Sequence, residues 1–570
     1  MRKYILTIIS CSFLFADKPI TAKNILNLEY ISQPSINVGG TRIAYVKTVP
    51  PSLKSKSRRP FREVWVTDVD GTNQRKFTSA PNNSWAPQWT PDGNLSFLSL
   101  RKEHNQYTQI YTIPTDGGEA VPLTKHSSSV SSYAWSPNGR WIAFTSRDKI
   151  TQEEQERRKD GYDMIVMGKE QLYNRLWIYD LETKSHETIF RQDLNISNFV
   201  WSPDSKFIIF QASEKVNVDL EYLESSIYLV KAPSGNPRKI INTPGKLGDM
   251  SISPNNEQLA FLGAVSKNDP LAQSIYVLNI KNGKSKLVTP DFKESFVSVE
   301  WIDDQTVIGM SQRGTKTALS TVFLSENLPE DVYNQNDVLA PTEIISSFTF
   351  HRYTKQLVLT ANSHKHPNEL YVGLYNSKKM KRITFSNTAL NKVQLARQET
   401  ISWKARDGKT IQGVLTYPLV YRDGKRYPLI LQIHGGPEGV SLDGWNTRVT
   451  YPIQLLAANG YFVLEPNYRG SAGRGVAFSK LDHDDLGGEE FNDVLKAIDY
   501  LIENGFVDKN QVGTGGWSYG GYFSALAATR NSDRFKASMV GAGLTNMISF
   551  MGTTDIPYEM SIVHWNQWWF

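Results

Sequence analysis

A serine set between closely spaced glycines is a place where acyl-transfer chemistry can be built. Residues 515–522 read Gly515-Gly516-Trp517-Ser518-Tyr519-Gly520-Gly521-Tyr522, with Gln511-Val512-Gly513-Thr514 ahead of them and an apolar run from Phe523 behind. The leading half has strand character and the trailing half helix character, so Gly-x-Ser-x-Gly falls on a strand-to-helix turn, the context that a nucleophile elbow requires. The glycines let the chain turn sharply without Cβ clashes, which leaves the Ser518 hydroxyl above the sheet edge. The pattern by itself is weak, arising by chance about 0.2 times in a chain of this composition. The other reading of Ser518 is a helix N-cap.

A serine that attacks a carbonyl also needs donors for the oxyanion that forms. The backbone N–H of Tyr519, next after the nucleophile, is placed for this, and a second donor should come from the loop after an earlier strand. The apolar stretch 428–434 (PLILQIH) ends in His434-Gly435-Gly436-Pro437, and the Gly436 N–H is the expected second donor. His434 is expected to order this loop rather than move a proton, because it precedes the serine and the base of such a site follows it.

The elements that hold these residues begin near residue 395. From there strands and helices alternate, which indicates an α/β-hydrolase-like layer structure. Residues 461–466 (YFVLEP) read as a strand leading into Asn467-Tyr468-Arg469-Gly470-Ser471. Phe491, Val494, Leu495, Ile498 and Leu501 recur at helical spacing over 489–504, so that stretch reads as an amphipathic helix on the sheet.

Before residue 395 the chain repeats itself. Segments 34–46 (PSINVGGTRIAYV), 85–98 (WAPQWTPDGNLSFL), 133–145 (YAWSPNGRWIAFT) and 199–210 (FVWSPDSKFIIF) share one pattern, and weaker copies follow at 250–262, 297–310 and 348–360. Each runs strand, turn, apolar strand, with turn residues that tolerate positive φ. A second hairpin between copies makes a four-stranded unit of about 50 residues, and seven such units closing in a ring make a β-propeller rather than a two-sheet sandwich. The insertion at 151–173, with Glu153-Glu154-Gln155-Glu156-Arg157-Arg158-Lys159, reads as a charged helix or loop projecting from a blade.

The chain has 570 residues with 40% hydrophobic and 21% charged, which excludes disorder and collagen-like structure and implies more than one domain. Lys+Arg 63 against Asp+Glu 57 gives a net charge of +6, too small and too dispersed to indicate a nucleic-acid partner. Arg2 and Lys3 precede an apolar run over residues 4–16, shorter than the roughly 20 residues of a membrane span. This reads as an exported protein's signal peptide over residues 1–22, cleaved after Ala16 or Ala22; a lipid anchor at Cys11, the chain's single cysteine, is the alternative. The nine histidines lack metal-ligand spacing, so neither metal nor cofactor is expected.

Seven propeller repeats followed, in order, by HGGP at 434–437, NYRGS at 467–471 and GWSYGGY at 516–522 resemble the prolyl oligopeptidase family of serine peptidases, in its acylaminoacyl-peptidase-like branch. The resemblance covers essentially the whole chain after residue 22. It implies a propeller over 23–395 that admits short oligopeptides, a peptidase domain over 396–570, Ser518 as nucleophile, and Tyr519 with the HGGP loop as oxyanion hole. Some relatives begin that loop with a tyrosine that donates through its hydroxyl; here the residue is His434, hence the backbone donor. No Asp-Trp-x-Tyr-Glu-Glu segment is present, which turns the expectation away from a dipeptidyl aminopeptidase. Homo-oligomers are common in the family.

The acid and base of such a site follow the serine in the order Ser, Asp, His, and reaching both takes several βα units of about 30 residues each. Only 52 residues follow Ser518, and their candidates are Asp533, Asp555 and His564. None lies in a strand-acid or His-loop context. The expectation is a fragment whose hydrolase domain is incomplete and whose Asp and His lie outside it, inactive by itself. An esterase on the same scaffold, or an inactive propeller serving as a binding module, are the alternatives.

Overall fold

A computed structural model describes residues 18–52, 59–101, 106–162, 164, 171–324, 334–339, 341–375 and 377–565. The apolar run at residues 4–16, with Cys11 and Ala16, lies outside the described residues, as do residues 163 and 165–170 of the insertion.

Seven four-stranded antiparallel sheets follow one another along the chain, at 30–76, 83–122, 130–188, 195–242, 247–287, 295–339 and 344–382, each with its strands in sequence order. The seven-bladed propeller is therefore as expected. The turn chemistry that marked the repeats is visible in the hairpins of the third, fourth and fifth blades. Ser136 Oγ donates to Asn138 Oδ1 at 2.8 Å, Ser202 Oγ to Asp204 Oδ1 at 2.8 Å and Ser253 Oγ to Asn255 Oδ1 at 2.7 Å. The residue that then takes positive φ is Gly139 (75°), Ser205 (62°) or Asn256 (65°).

In the second, third, fourth and sixth blades a tryptophan before that turn ties the blade to the one before it. Trp89 Nε1 donates to Ser35 O at 2.9 Å, Trp135 Nε1 to Ser96 Oγ at 2.9 Å, Trp201 Nε1 to Ala134 O at 3.1 Å and Trp301 Nε1 to Ser251 O at 2.9 Å. The ring closes by packing: Ile31, Ile43 and Tyr45 of the first blade are buried against Val358, Leu370 and Ile383 around the last. The insertion holds an exposed helix, Gln152–Lys159, capped by Thr151.

The second domain is a six-stranded sheet. Its strands are β1 (Gln398–Lys404), β2 (Thr410–Thr416), β3 (Tyr427–Ile433), β4 (Phe462–Asn467), β5 (Val507–Trp517) and β6 (Ala537–Gly541), in the order β1-β2-β4-β3-β5-β6. β3 pairs in parallel with both β4 and β5, and β5 with β6. Helix α1 (Glu489–Glu503) buries Phe491, Val494, Leu495, Ile498 and Leu501, the five positions that the periodicity selects. Helix α2 (Tyr519–Thr529) packs beside it on the same core. This is the α/β-hydrolase arrangement. No helix among the described residues is long and apolar enough to cross a membrane.

Lys18–Pro19 pairs with Val393–Gln394 where the propeller passes into the hydrolase, and Ile20 is buried in the cluster that joins them. These contacts involve residues inside the expected 1–22 leader. Cleavage after Ala16 would keep them and cleavage after Ala22 would remove them.

Candidate active site

Strand β5 is made of small residues at its end, Gly513 to Gly516, and delivers the chain to Ser518 with φ 57° and ψ −121°. A non-glycine residue in this region stores about 1–3 kcal/mol and persists only where its surroundings over-determine it. They do here. The Ser518 N–H donates to Gly541 O at 2.9 Å and Tyr522 N–H to Ser518 O at 3.1 Å, so both flanking peptides are fixed. The glycines are required by contact: a Cβ on Gly520 would sit 2.1 Å from Ile433 O, and one on Gly516 would sit 2.3 Å from Gly520 O.

Ser518 occupies the N-cap position of α2, yet its side chain makes no capping hydrogen bond, and the residue is exposed. The N-cap reading therefore fails in its essential part, since the hydroxyl is free for other work. Tyr519 starts the helix, and its side chain is buried beneath the turn. The loop after β3 lies directly against this point, because a Cβ on Gly435 would come within 3.1 Å of Ser518 Cβ and 3.5 Å of Tyr519 N. The residues that the motifs select, Ser518, Tyr519 and the HGGP loop holding Gly436, thus converge on one face of the sheet.

His434 orders that loop. Its ring stacks on Tyr468 with centroids 4.5 Å apart, Nδ1 is bonded to Gly435 O at 2.9 Å and Nε2 to Ser471 Oγ at 3.1 Å. Burial lowers its pKa to about 4, so the ring is neutral near pH 7. The NYRGS segment is held from below: Arg469 Nε and Nη2 donate to Asp493 on α1 at 2.9 Å and 2.8 Å.

The three late candidates do not form a triad with Ser518. Asp533 and Asp555 are exposed. His564 is 2% exposed, and its Nδ1 pairs with Asp482 at 3.1 Å and its Nε2 with Glu438 at 3.2 Å. Burial opposes its charge, but Glu438 and Asp482 outweigh burial and lift it to about 10. Glu438, for which burial also opposes the charge, is drawn down to about 2 by His564 and Lys246. An imidazolium with both nitrogens engaged has no lone pair for a serine proton.

Sequence reasoning missed this cluster, which is assembled from the loop after β3, the 480–486 loop and the segment 555–564. Glu438, Glu559 and His564 offer ligand atoms within 4.8 Å of one another. Lys246 Nζ already lies 2.6 Å from Glu559, and His564 bridges Glu438 and Asp482, so the positive charge that a metal would bring is supplied by side chains.

Residues 447–569 match the model of the prolyl oligopeptidase family. The uncharacterized peptidase YuxL of Bacillus subtilis is 26% identical over 95% of this chain and 84% of its own length. Dipeptidyl-peptidase 5 of Porphyromonas gingivalis is 24% identical over 96% of this chain and 81% of its own. The acylaminoacyl peptidase of Pyrococcus horikoshii has the same fold, with a TM-score of 0.75 at 19% identity over 95% of this chain and 82% of that one. The seven blades and the strand–Ser518–helix turn thus come with a match to the prolyl oligopeptidase family that spans the turn, and with a whole-chain fold like that of the acylaminoacyl peptidase.

Proposed function

We propose that this protein is an exported serine peptidase that cleaves short oligopeptides, with Ser518 as nucleophile. The observation that carries the reading is Ser518 itself: an exposed hydroxyl in a strained backbone conformation, uncommitted to capping, at the start of a helix that abuts the HGGP loop. The match of residues 447–569 to a peptidase family supports hydrolase chemistry.

In this reading Ser518 Oγ attacks the peptide carbonyl carbon as its proton passes to a histidine base. The carbonyl oxygen takes up negative charge between the Tyr519 and Gly436 N–H groups. The C–N bond then breaks, the amine leaves with the proton, and water hydrolyses the acyl-enzyme ester. His434 and His564 have both ring nitrogens engaged, by Gly435 and Ser471 and by Asp482 and Glu438, so neither supplies that base. The propeller would restrict entry to short, unfolded chains.

Ser518→Ala should abolish both peptide turnover and labelling by a fluorophosphonate probe, while the denaturation midpoint stays within about 0.5 kcal/mol of wild type. Turnover that survives the substitution would sink the assignment. A second reading, release of N-terminal dipeptides, is favoured by the dipeptidyl-peptidase 5 relative. Comparing free and N-acetylated peptides separates the two, since dipeptide release requires the free amine. Preference for p-nitrophenyl esters over peptides would support the esterase alternative.

A further inference from the structure

The side chain of Tyr519 is anchored by a group to which no motif points. Tyr519 is 1% exposed, and its hydroxyl donates to Glu490 Oε1 at 2.7 Å. The Gly487 N–H donates to the same oxygen. Glu490 lies at the start of α1 with no exposed surface, and its other oxygen, Oε2, has no hydrogen-bond partner among the described residues.

The groups that face Glu490 come from three elements. Tyr519 and Tyr522 face it from α2, Tyr468 from the loop after β4, and Asp482 from the 480–486 loop. None of them is a cation. Arg469, in the loop after β4, is committed to Asp493 of α1, and His564 is committed to Asp482 and Glu438. An ionised Glu490 would therefore leave one carboxylate oxygen charged and unpaired in the interior, which is costlier than a neutral acid that carries its proton there. Burial, and then the Asp482 charge, push the group up to about 8, against the bonds from Tyr519 and Gly487 and the amide at its own helix start.

We propose that Glu490 is a positioning residue for the oxyanion hole: an uncharged carboxyl beneath the elbow that fixes the Tyr519 ring and, through the shared Cα, the Tyr519 backbone N–H beside Ser518. The inference rests on the assignment of Ser518 and Tyr519 given above. Its leverage is geometric, because a displacement of about 1 Å in a group of this kind can cost about 100-fold in rate. Ionisation of Glu490 on the alkaline side places a charge with no counter-ion under the turn and loosens it.

The test uses the full chain and measures the second-order rate of fluorophosphonate labelling of Ser518 from neutral to alkaline pH, since phosphonylation uses the same attack and the same oxyanion donors. Wild type should lose rate along a limb with its midpoint near pH 8. Tyr519→Phe and Glu490→Ala should slow labelling by about 10- to 100-fold at neutral pH. Glu490→Gln keeps an acceptor oxygen and cannot ionise; it should recover most of the rate lost in the alanine variant and lack the alkaline limb. An unchanged limb in Glu490→Gln, or a wild-type rate in Tyr519→Phe, overturns the proposal, and both variants preserve shape if the alanine variant fails to fold. Ser518→Ala that labels as wild type does overturns the nucleophile assignment instead.

Discussion

His564 illustrates how far residue identity is from residue role. In composition it is one of nine histidines and the single histidine after the serine, the position where a base is sought. In the fold it is an imidazolium that neutralises buried Asp482 and partly buried Glu438. Replacing it by glutamine should destabilise the protein by about 3–5 kcal/mol, because Asp482 and Glu438 are left without their cation. The pH dependence has a defined sign. A group whose pKa is raised from 6.5 to about 10 stabilises the native state fully below 6.5, and this contribution declines as pH rises toward 10. The stability gap between wild type and His564→Gln, measured by urea denaturation, should narrow over that interval. A gap that stays constant would mean that the native ring is neutral.

At the scale of the element, the strand–turn–helix unit works because its glycines let three backbones meet. Gly520 faces the carbonyls of Ile433 and His434 at the end of β3, and the clash with an added Cβ is with backbone, which a side-chain rotation cannot relieve. Gly520→Ala should cost more than about 2 kcal/mol and abolish fluorophosphonate labelling, since α2 must retreat from β3 and carry the Tyr519 N–H with it. An alanine variant of wild-type stability that labels normally would show the turn to be softer than its contacts indicate. The strand and the helix were legible from the run Val512 to Gly521, because local turn chemistry and apolar periodicity fix them. Glu490 was not. It lies 28 positions before Ser518 on an amphipathic helix, and nothing in a helical repeat distinguishes a carboxyl that faces solvent from one turned under a neighbouring element.

At the scale of the molecule, the two domains are joined by the segment 555–564. Asp219, on the propeller helix Val218–Leu223, accepts the N–H groups of Tyr558 and Glu559 at 2.7 Å each, and Lys246 pairs with Glu559. The same segment reaches the hydrolase through His564, whose carbonyl accepts from the Asp484 N–H at 2.8 Å. Asp219→Ala removes two charge-assisted hydrogen bonds in a buried setting. It should speed amide hydrogen exchange across 555–564 by about 10-fold or more, with blade-core exchange unchanged. Exchange that stays at its wild-type rate would mean that Lys246 and His564 hold the segment without Asp219.

What the sequence determined by itself is everything encoded within one hairpin or one helix: seven propeller blades from turns such as Ser136-Pro137-Asn138-Gly139, the sheet-covering face of α1, and the elbow that presents Ser518. Such features depend on neighbours a few positions apart, and local sequence reports on local geometry. The tertiary structure alone decided that His564 is an ion-pair partner, that Glu490 lies under Tyr519, and that Lys246 of the fifth blade's approach meets Glu559 some 313 positions later. The protonation of such groups follows from burial and from charges brought in by remote segments, and no spacing along the chain records which carboxylate a fold will deprive of water.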